Sequence, residues 1–183
     1  DDHRTHRDRL DHPHDIGRLI GYLPEERGLY PAMKAVEAIA FMGALRGLPL
    51  AEGRSRGREL LERHDLGHAA DRQIRQLSKG MAQTVQLLGT LVHSPRLVVL
   101  DEPFSGLDAI NQGKLEVLIR NLAEDGVTVI FSTHVIHHAE RLCEGVLLEY
   151  RCVGPAARAV KLGDDGRPIL DADLVDAILV AVE

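Results

Sequence analysis

Two adjacent carboxylates stand at the end of a short apolar run in the middle of the chain. Residues 97–100 are Leu-Val-Val-Leu, and Asp101 and Glu102 follow them, with Pro103 preventing the strand from continuing. This pattern predicts a buried strand that delivers both carboxylates to the edge of a sheet. Because carboxylates are costly to leave unpaired there, a divalent cation beside a phosphate would compensate them, with one carboxylate serving the metal and the other a water molecule.

A histidine is predicted to reach the same edge. Residues 111–125 have the apolar spacing of a helix, and residues 127–131 have the composition of a buried strand. A strand, a helix and a strand of this length predict a parallel βαβ unit, whose second strand brings His134 to the edge that carries Asp101 and Glu102. A single histidine at a strand end is most often structural, but one beside two carboxylates could contact a phosphate.

A second candidate site lies at the start of a predicted helix. Ser78 is predicted to be its N-cap, with Lys79 and Gly80 in the first turn and Pro95 beyond the far end. Free backbone N–H groups, a hydroxyl and the positive end of the helix dipole together bind anions, and glycine lets a phosphate approach the backbone. An ordinary capped helix would have the same residues, and on the residues alone this alternative is favoured.

Two groups of histidines have spacings that could suit a metal, and neither is favoured as a site. His134, His137 and His138 have the i, i+3, i+4 spacing of one helix face. The other group is made up of four histidines near the start of the chain, His3, His6, His12 and His14. Their spacing is irregular and their neighbours are Asp and Arg, so residues 1–15 are predicted to be a polar, disordered segment.

Three stretches of the chain resemble the ATP-binding cassette (ABC) ATPases. Residues 97–108, Leu-Val-Val-Leu-Asp-Glu-Pro-Phe-Ser-Gly-Leu-Asp, resemble the Walker B strand and D-loop of that family. Residues 77–83, Leu-Ser-Lys-Gly-Met-Ala-Gln, resemble its signature motif, with Met81 in place of the commonest residue, glutamine. Residues 20–31 resemble its Q-loop, with Glu25 where a glutamine is more usual.

This resemblance implies the fold class and the domain organisation. The expected fold is α/β, a partial P-loop NTPase (ABC ATPase) fold with a mainly parallel sheet. Residues 16–150 would form the partial ABC ATPase domain, with a helical subdomain inserted at about residues 33–93. Residues 151–183 are predicted to be a small accessory segment, containing an amphipathic helix that starts at Asp171 and aligns Leu174, Ile178 and Val182.

The resemblance also implies ATP and Mg²⁺ as cofactors and assigns roles at the sheet edge. Asp101 would hold Mg²⁺ through water, and Glu102 would orient or deprotonate the attacking water. His134 would sense the γ-phosphate, so Glu102 and His134 are the candidate catalytic residues. Glu25 would also sense the γ-phosphate and make a weak or water-mediated metal contact, although on the residues alone an exposed turn glutamate is the commoner interpretation.

Further implied roles depend on a second nucleotide-binding domain. In the family, two such domains face each other head to tail, and each ATP lies between the P-loop of one and the signature motif of the other. Ser78, Lys79 and Gly80 would then contact the nucleotide bound by the partner, and Asp108 would link the two sites. The partner domain could be a copy of this chain or a related one.

The family resemblance implies a transmembrane permease as another partner. The Q-loop contacts it in the family, so Leu29, Tyr30 and Met33 are candidate contacts. The sequence contains no apolar run of the ~20 residues needed to span a bilayer. The expected location is therefore the cytoplasm, peripheral to the membrane on its cytoplasmic face.

Composition argues against nucleic acid as a partner. The net charge is −6, which opposes binding driven by phosphate neutralisation, and six aromatic residues provide little stacking surface. The two cysteines, Cys143 and Cys152, have neither metal-ligand nor disulfide-framework spacing, which favours a reducing compartment.

The P-loop pattern Gly-x-x-x-x-Gly-Lys-[Ser/Thr] does not occur in the 183 residues. That loop holds the β- and γ-phosphates, so the chain by itself is predicted to be nearly inactive as an ATPase. The first expectation is an ATP-hydrolysing subunit of an ABC transporter, shortened by truncation or gene decay. The alternatives are a catalytically silent partner that donates its signature motif to an intact ATPase, and an ABC protein without a transport role.

Overall fold

The computed structural model describes residues 17–26, 28–142, 145–150 and 175–182. The predicted disordered segment, residues 1–15, lies outside the described residues. The same holds for residues 151–174 and 183, which make up most of the predicted accessory segment.

Five strands form one sheet in the order β1-β2-β3-β5-β4. The strands are β1 (Ile20–Leu23), β2 (Leu97–Leu100), β3 (Thr128–Thr133), β4 (Gly145–Tyr150) and β5 (Val175–Val182). The first three pair in parallel, and β5 is antiparallel to both β3 and β4, so four strands share one direction. Leu23, Leu100 and Phe131 lie side by side in the register. β1 and β2 therefore end at the same level of the sheet, and β3 extends two residues further, to Thr133.

Three helices lie between β1 and β2 in the chain, and two more follow β2. They are α1 (Ala35–Leu45), α2 (Leu50–Arg63), α3 (Lys79–Leu91), α4 (Ala109–Glu124) and α5 (Ile136–Leu142). Two 3₁₀ turns, Gly67–Ala69 and Ile74–Gln76, connect α2 to α3.

One apolar core joins the sheet to the helices. Leu23, Leu100 and Phe131 contribute fully buried side chains from the three parallel strands, and α3 contributes Leu87 and Leu88. Most residues of α3 are buried because this helix packs against both α1 and β1. Such a helix cannot shift without disturbing the core, so its first residues are held in a fixed place relative to the sheet edge.

The helix predicted from Asp171 is wrong for the part that the structure describes. Residues 175–182 form β5, which lies between β3 and β4 and pairs with both. Residues 177–182 are a continuous apolar run of Ala, Ile, Leu and Val, which is typical of a strand buried inside a sheet. The spacing of Leu174, Ile178 and Val182 misled the prediction because positions four apart share a face in a strand as well as in a helix.

Within the part of the chain that the structure describes, none of the helices has both the length and the apolar character needed to cross a bilayer.

Candidate functional site

Polar side chains from β2 and β3 meet where these neighbouring strands end. Asp101 and Glu102 follow β2 directly, while Ser132 is the next residue along β3 after Phe131, the partner of Leu100. His134 lies just beyond β3. The parallel register predicted from the strand-helix-strand pattern is confirmed, and it brings the carboxylates and the histidine to one edge.

A serine hydroxyl lies between the two acidic residues. The Ser132 Oγ–H donates to Asp101 Oδ1 at 2.6 Å, and the backbone N–H of Glu102 donates to Ser132 Oγ at 3.0 Å. The Asp101 N–H donates to the carbonyl of Leu23 at 2.8 Å, which ties the end of β2 to β1. Asp101 is thus held through both its main chain and one carboxylate oxygen.

Glu102 and His134 are in direct contact. Glu102 Oε1 lies 3.0 Å from His134 Nδ1. At this distance the imidazole can pair with the carboxylate through Nδ1, and Nε2 is the ring nitrogen that such a pairing does not use. The Glu102 side chain is 15% exposed and that of His134 is 61% exposed, so the histidine stands between the carboxylate and solvent.

Glu102 has an unusual backbone conformation for its residue type. Its φ is +43°, in the left-handed region that residues other than glycine rarely adopt. The chain turns away from the direction of β2 at this residue. It continues through Pro103 to Phe104, whose side chain is buried. The turn therefore keeps the Glu102 carboxylate at the edge.

Glu25 follows β1 by two residues and is exposed. Its position is at the same edge of the sheet as Asp101, because β1 and β2 end level. Within the described residues, no hydrogen bond or ion pair joins Glu25 to Asp101, Glu102 or His134. Its predicted metal and phosphate contacts stay predictions.

The signature-like residues form the capped start of α3. Ser78 is the N-cap, and its Oγ accepts from the N–H of Met81 at 3.2 Å. A cavity of about 470 Å³ lies beside this helix start, and its lining includes Ser78, Lys79 and Arg75. Two cations, a hydroxyl and a helix N-terminus together favour an anion at this place.

The start of α3 is packed against the turn and helix that follow the carboxylates. The Lys79 ammonium lies on Gly106, whose φ is +64° and where any side chain would collide with it. Gly80 is buried against Asn111: a Cβ at this glycine would lie 2.6 Å from Asn111 Cγ. The signature-like residues and the D-loop-like residues are therefore one packed unit.

Asp108 caps α4 inside that unit. Its Oδ1 accepts from the N–H of Asn111 at 2.9 Å, and its Oδ2 accepts from the Asn111 side-chain amide at 2.6 Å. These hydrogen bonds, the backbone one first, hold the pKa of Asp108 below its usual value. The carboxylate is an ordinary helix cap in this chain, which leaves its predicted link between two nucleotide sites as a prediction.

Buried polar residues that the sequence did not single out connect α3 to the loops at the sheet edge. Gln83 Nε2 donates to the carbonyl of Pro103 at 3.4 Å, and Gln86 Nε2 donates to the carbonyl of Glu26 at 3.4 Å. Ser132, a half-buried residue of β3, was also not singled out from the sequence. The sequence signal for these contacts was the presence of glutamines on the buried face of an amphipathic helix, because a buried side-chain amide needs a hydrogen-bond partner.

A buried pair of His138 and Glu116, joined by the exposed Arg141, was also not identified from the sequence. His138 Nδ1 lies 3.1 Å from Glu116 Oε1, and Arg141 Nη2 lies 3.1 Å from Glu116 Oε2. His138 therefore faces inward while His134 contacts Glu102. Among the described residues, no group of three or more His, Cys, Asp or Glu side chains is arranged to hold a metal ion.

The donor set at the edge fits a magnesium ion that a phosphate completes. Asp101 Oδ1 is occupied by Ser132, and within the described residues Oδ2 has no hydrogen-bond partner. One free carboxylate oxygen suits Mg²⁺, which keeps most of its waters and binds through one or two carboxylates plus substrate phosphates. For ATP the fit is partial, because the α3 start offers an anion site but the P-loop pattern does not occur in these residues.

The fold and the site together define the class. The protein has a mainly parallel sheet with helices inserted after β1. Two carboxylates and a histidine lie at the edge of this sheet, and a capped helix packs on the turn that follows them. These features are those of the expected partial P-loop NTPase fold of the ABC ATPase type. A solved ABC transporter assigned to the metal-chelate type, in an inward-facing conformation, aligns with a TM-score of 0.59 at 26% identity. The alignment covers 66% of this chain and 50% of that one. The predicted fold class is confirmed.

The sequence comparisons give the family. The profile of the ABC transporter family matches residues 1–105. The uncharacterized ABC transporter ATP-binding protein YhaQ of Bacillus subtilis is 39% identical over 133 residues, which cover 73% of this chain and 45% of YhaQ. MJ1023 of Methanocaldococcus jannaschii, similarly named, is 38% identical over 162 residues, which cover 88% of this chain and 61% of MJ1023. The chain belongs to the ABC transporter family. It spans about half the length of the curated relatives it matches.

Proposed function

We propose that this chain is part of the ATP-binding and ATP-hydrolysing subunit of an ABC transporter. The observation that carries the proposal is the contact of Glu102 with His134 beside Asp101, at the end of parallel strands. Two carboxylates with different neighbours can divide the work of holding a metal and activating water. The relatives named as ATP-binding proteins support the same assignment.

Each residue at the edge has a proposed task. Asp101 would hold Mg²⁺ through water, and the ion when bound would supply positive charge that stabilises the phosphates in the transition state. Glu102 orients the attacking water or accepts its proton. His134 contacts the γ-phosphate through the ring nitrogen that Glu102 leaves free. Glu25 would approach the same phosphate from β1.

A head-to-tail dimer accounts for the position of the second group of residues. Ser78 caps α3, Lys79 packs on Gly106 and Gly80 packs on Asn111, both of which follow Glu102 in the chain. We propose that this group contacts the nucleotide of a second nucleotide-binding domain, with Asp108 near the junction. The cationic lining beside Ser78 supports contact with a phosphate.

The membrane partner is proposed to dock on the groove between the Q-loop-like residues and α1. Leu29, Tyr30 and Met33 line a cavity of about 180 Å³ together with Phe41 and Leu45. Tyr30 is 59% exposed and Leu45 is 70% exposed, and apolar side chains exposed together mark interaction surfaces. Docking to a permease would place the protein in the cytoplasm, on the cytoplasmic face of the membrane.

The proposal is tested with the complete subunit, purified and supplied with Mg²⁺ and ATP. Glu102→Gln should lower the turnover number by at least about 100-fold while ATP still binds, because the loss concerns the water and not the nucleotide. Glu124→Gln, an exposed glutamate at the end of α4, is the matched control and should leave turnover unchanged. Equal activity in the two variants would contradict the catalytic role.

A catalytically silent partner is the second candidate, and the anion-favouring start of α3, with Ser78 and Lys79 beside a cavity, is the feature that such a partner would donate. The 183-residue chain should then hydrolyse ATP negligibly but raise the turnover of an intact ATPase domain. Ser78→Arg should abolish that stimulation, because its bulk would fill the anion site. Stimulation that is indifferent to Ser78→Arg would exclude this function, and rapid magnesium-dependent turnover by the chain alone would exclude it too.

A further inference from the structure

Ser132 occupies a position that neither the sheet nor the core requires to be polar. It is half-buried near the end of β3, beside the first residues after β2. Its hydroxyl makes two hydrogen bonds, and both go to the acidic pair: one to the carboxylate of Asp101 and one to the main chain of Glu102. No other side chain in the described residues contacts both members of the pair through hydrogen bonds.

The direction of these hydrogen bonds is fixed by chemistry. A backbone N–H can only donate, so Ser132 Oγ must accept from Glu102. The single hydroxyl proton is then free to go to Asp101 Oδ1, and the 2.6 Å distance is typical of a hydroxyl donating to a carboxylate. The hydroxyl thus holds the Asp101 carboxylate in one orientation through Oδ1.

The hydrogen bond to Glu102 supports a strained turn. With φ at +43°, Glu102 has left the strand, and its N–H donates to the side chain of Ser132 rather than to a strand carbonyl. Left-handed backbone is unfavourable for a non-glycine residue, and it persists only where the surroundings hold it. Ser132 Oγ supplies the acceptor that this N–H needs.

We propose that Ser132 is a positioning residue for the hydrolytic reaction: one hydroxyl sets the orientation of the Asp101 carboxylate and the turn that aims Glu102. This inference rests on the proposed ATPase function for its catalytic consequence, but its structural part stands without it. Ser132 touches neither ATP nor water itself and acts through the two carboxylates.

The structural part is tested on the 183-residue chain by amide hydrogen exchange at Glu102, followed by NMR. Ser132→Ala should speed this exchange about tenfold, the amount expected for one lost hydrogen bond, and Ser132→Thr should keep it close to the original rate. Thr133→Val is the matched control, because the neighbouring Thr133 hydroxyl accepts only from the N–H of Val135. If Ser132→Ala and Thr133→Val give the same rate at Glu102, the proposal is overturned.

The catalytic part is tested on the complete subunit by varying Mg²⁺ at saturating ATP. Ser132→Ala should raise the Mg²⁺ concentration for half-maximal turnover about tenfold with the KM for ATP unchanged, and Ser132→Thr should restore it. A variant that only unfolds the protein would reduce all rates without moving the Mg²⁺ dependence. Unchanged Mg²⁺ dependence in folded Ser132→Ala would overturn the catalytic part. A wild type without turnover would instead contradict the proposed function, and the exchange rates would still decide the structural part.

Discussion

The imidazole of His138 lies flat on the ring of Phe104. Their centroids are 4.0 Å apart and the planes are 12° from parallel. Phe104 belongs to the turn that follows Glu102, and His138 belongs to α5, which begins two residues after His134. Phe104 in turn meets Phe131 of β3 edge to face. The stacked rings therefore hold the turn that follows Glu102 against α5, which follows His134. This packing keeps Glu102 and His134 in contact.

The Glu116 carboxylate is expected to be important for stability because it pairs with the stacked histidine. Glu116→Ala should lower the free energy of unfolding by about 3 kcal/mol, since it leaves His138 buried without its partner. Glu124→Ala, on the exposed face of the same helix, should change it by less than about 0.5 kcal/mol. Urea unfolding followed by circular dichroism measures both, and similar losses would show that the buried pair contributes nothing special.

Two glycines in helices should respond oppositely to alanine. Nothing lies within 4 Å of a Cβ built at Gly113, so Gly113→Ala should stabilise α4 by about 0.5–1 kcal/mol through helix propensity. At Gly80 the same Cβ would displace Asn111, whose amide is bonded to Asp108, so Gly80→Ala should be destabilising. Thermal unfolding gives the comparison. A gain at Gly80 as large as at Gly113 would refute the packing of the helix start on Asn111.

His134 is expected to affect turnover more than nucleotide binding. His134→Ala in the complete subunit should lower the turnover number by at least about 100-fold, because a preorganised contact to the transferring phosphate is lost. The KM for ATP should change little, since such a contact is strongest in the transition state. His68→Ala changes an exposed histidine in a 3₁₀ turn and is the control. Equal losses of turnover in His134→Ala and His68→Ala would contradict the role assigned to His134.

His93 should make stability depend on pH. Its Nε2 donates to the carbonyl of Ile20 at 3.2 Å, while its buried Nδ1 has no partner among the described residues. Burial first, and nearby Arg46 to a lesser extent, hold the pKa of His93 below its usual value, against the opposing effect of the Ile20 hydrogen bond.

The sign of this effect follows from proton binding. The unfolded chain takes up a proton at His93 near pH 6.5, while the folded chain does so only at lower pH, so stability falls as pH drops through that window. The melting temperature of His93→Gln should therefore fall less between pH 7.5 and pH 5.5 than that of the wild type. The exposed His68→Gln should lose as much as the wild type. If the melting temperature of His93→Gln falls with pH as steeply as that of the wild type, His93 is not the source of the pH dependence.

The local sequence determined much of this protein. The strand before Asp101 and the cap at Ser78 each depend on near neighbours in the chain, and both predictions are confirmed. The parallel βαβ rule then sufficed to bring His134 to the carboxylates. These features follow from periodicity, backbone stereochemistry and handedness, which act over short stretches.

Only the tertiary structure decided what depends on contacts between distant segments. Residues 175–182 became a strand because β3 and β4 offer hydrogen-bond partners on both sides, which no local pattern reveals. Ser132 and Asp101 are 31 residues apart in sequence, and Glu116 and His138 are 22 apart, yet each pair is hydrogen-bonded. A buried polar group must find a partner, but its partner is selected by the packing of whole elements. The sequence therefore determined which residues reach the sheet edge, and the fold decided how they are held there.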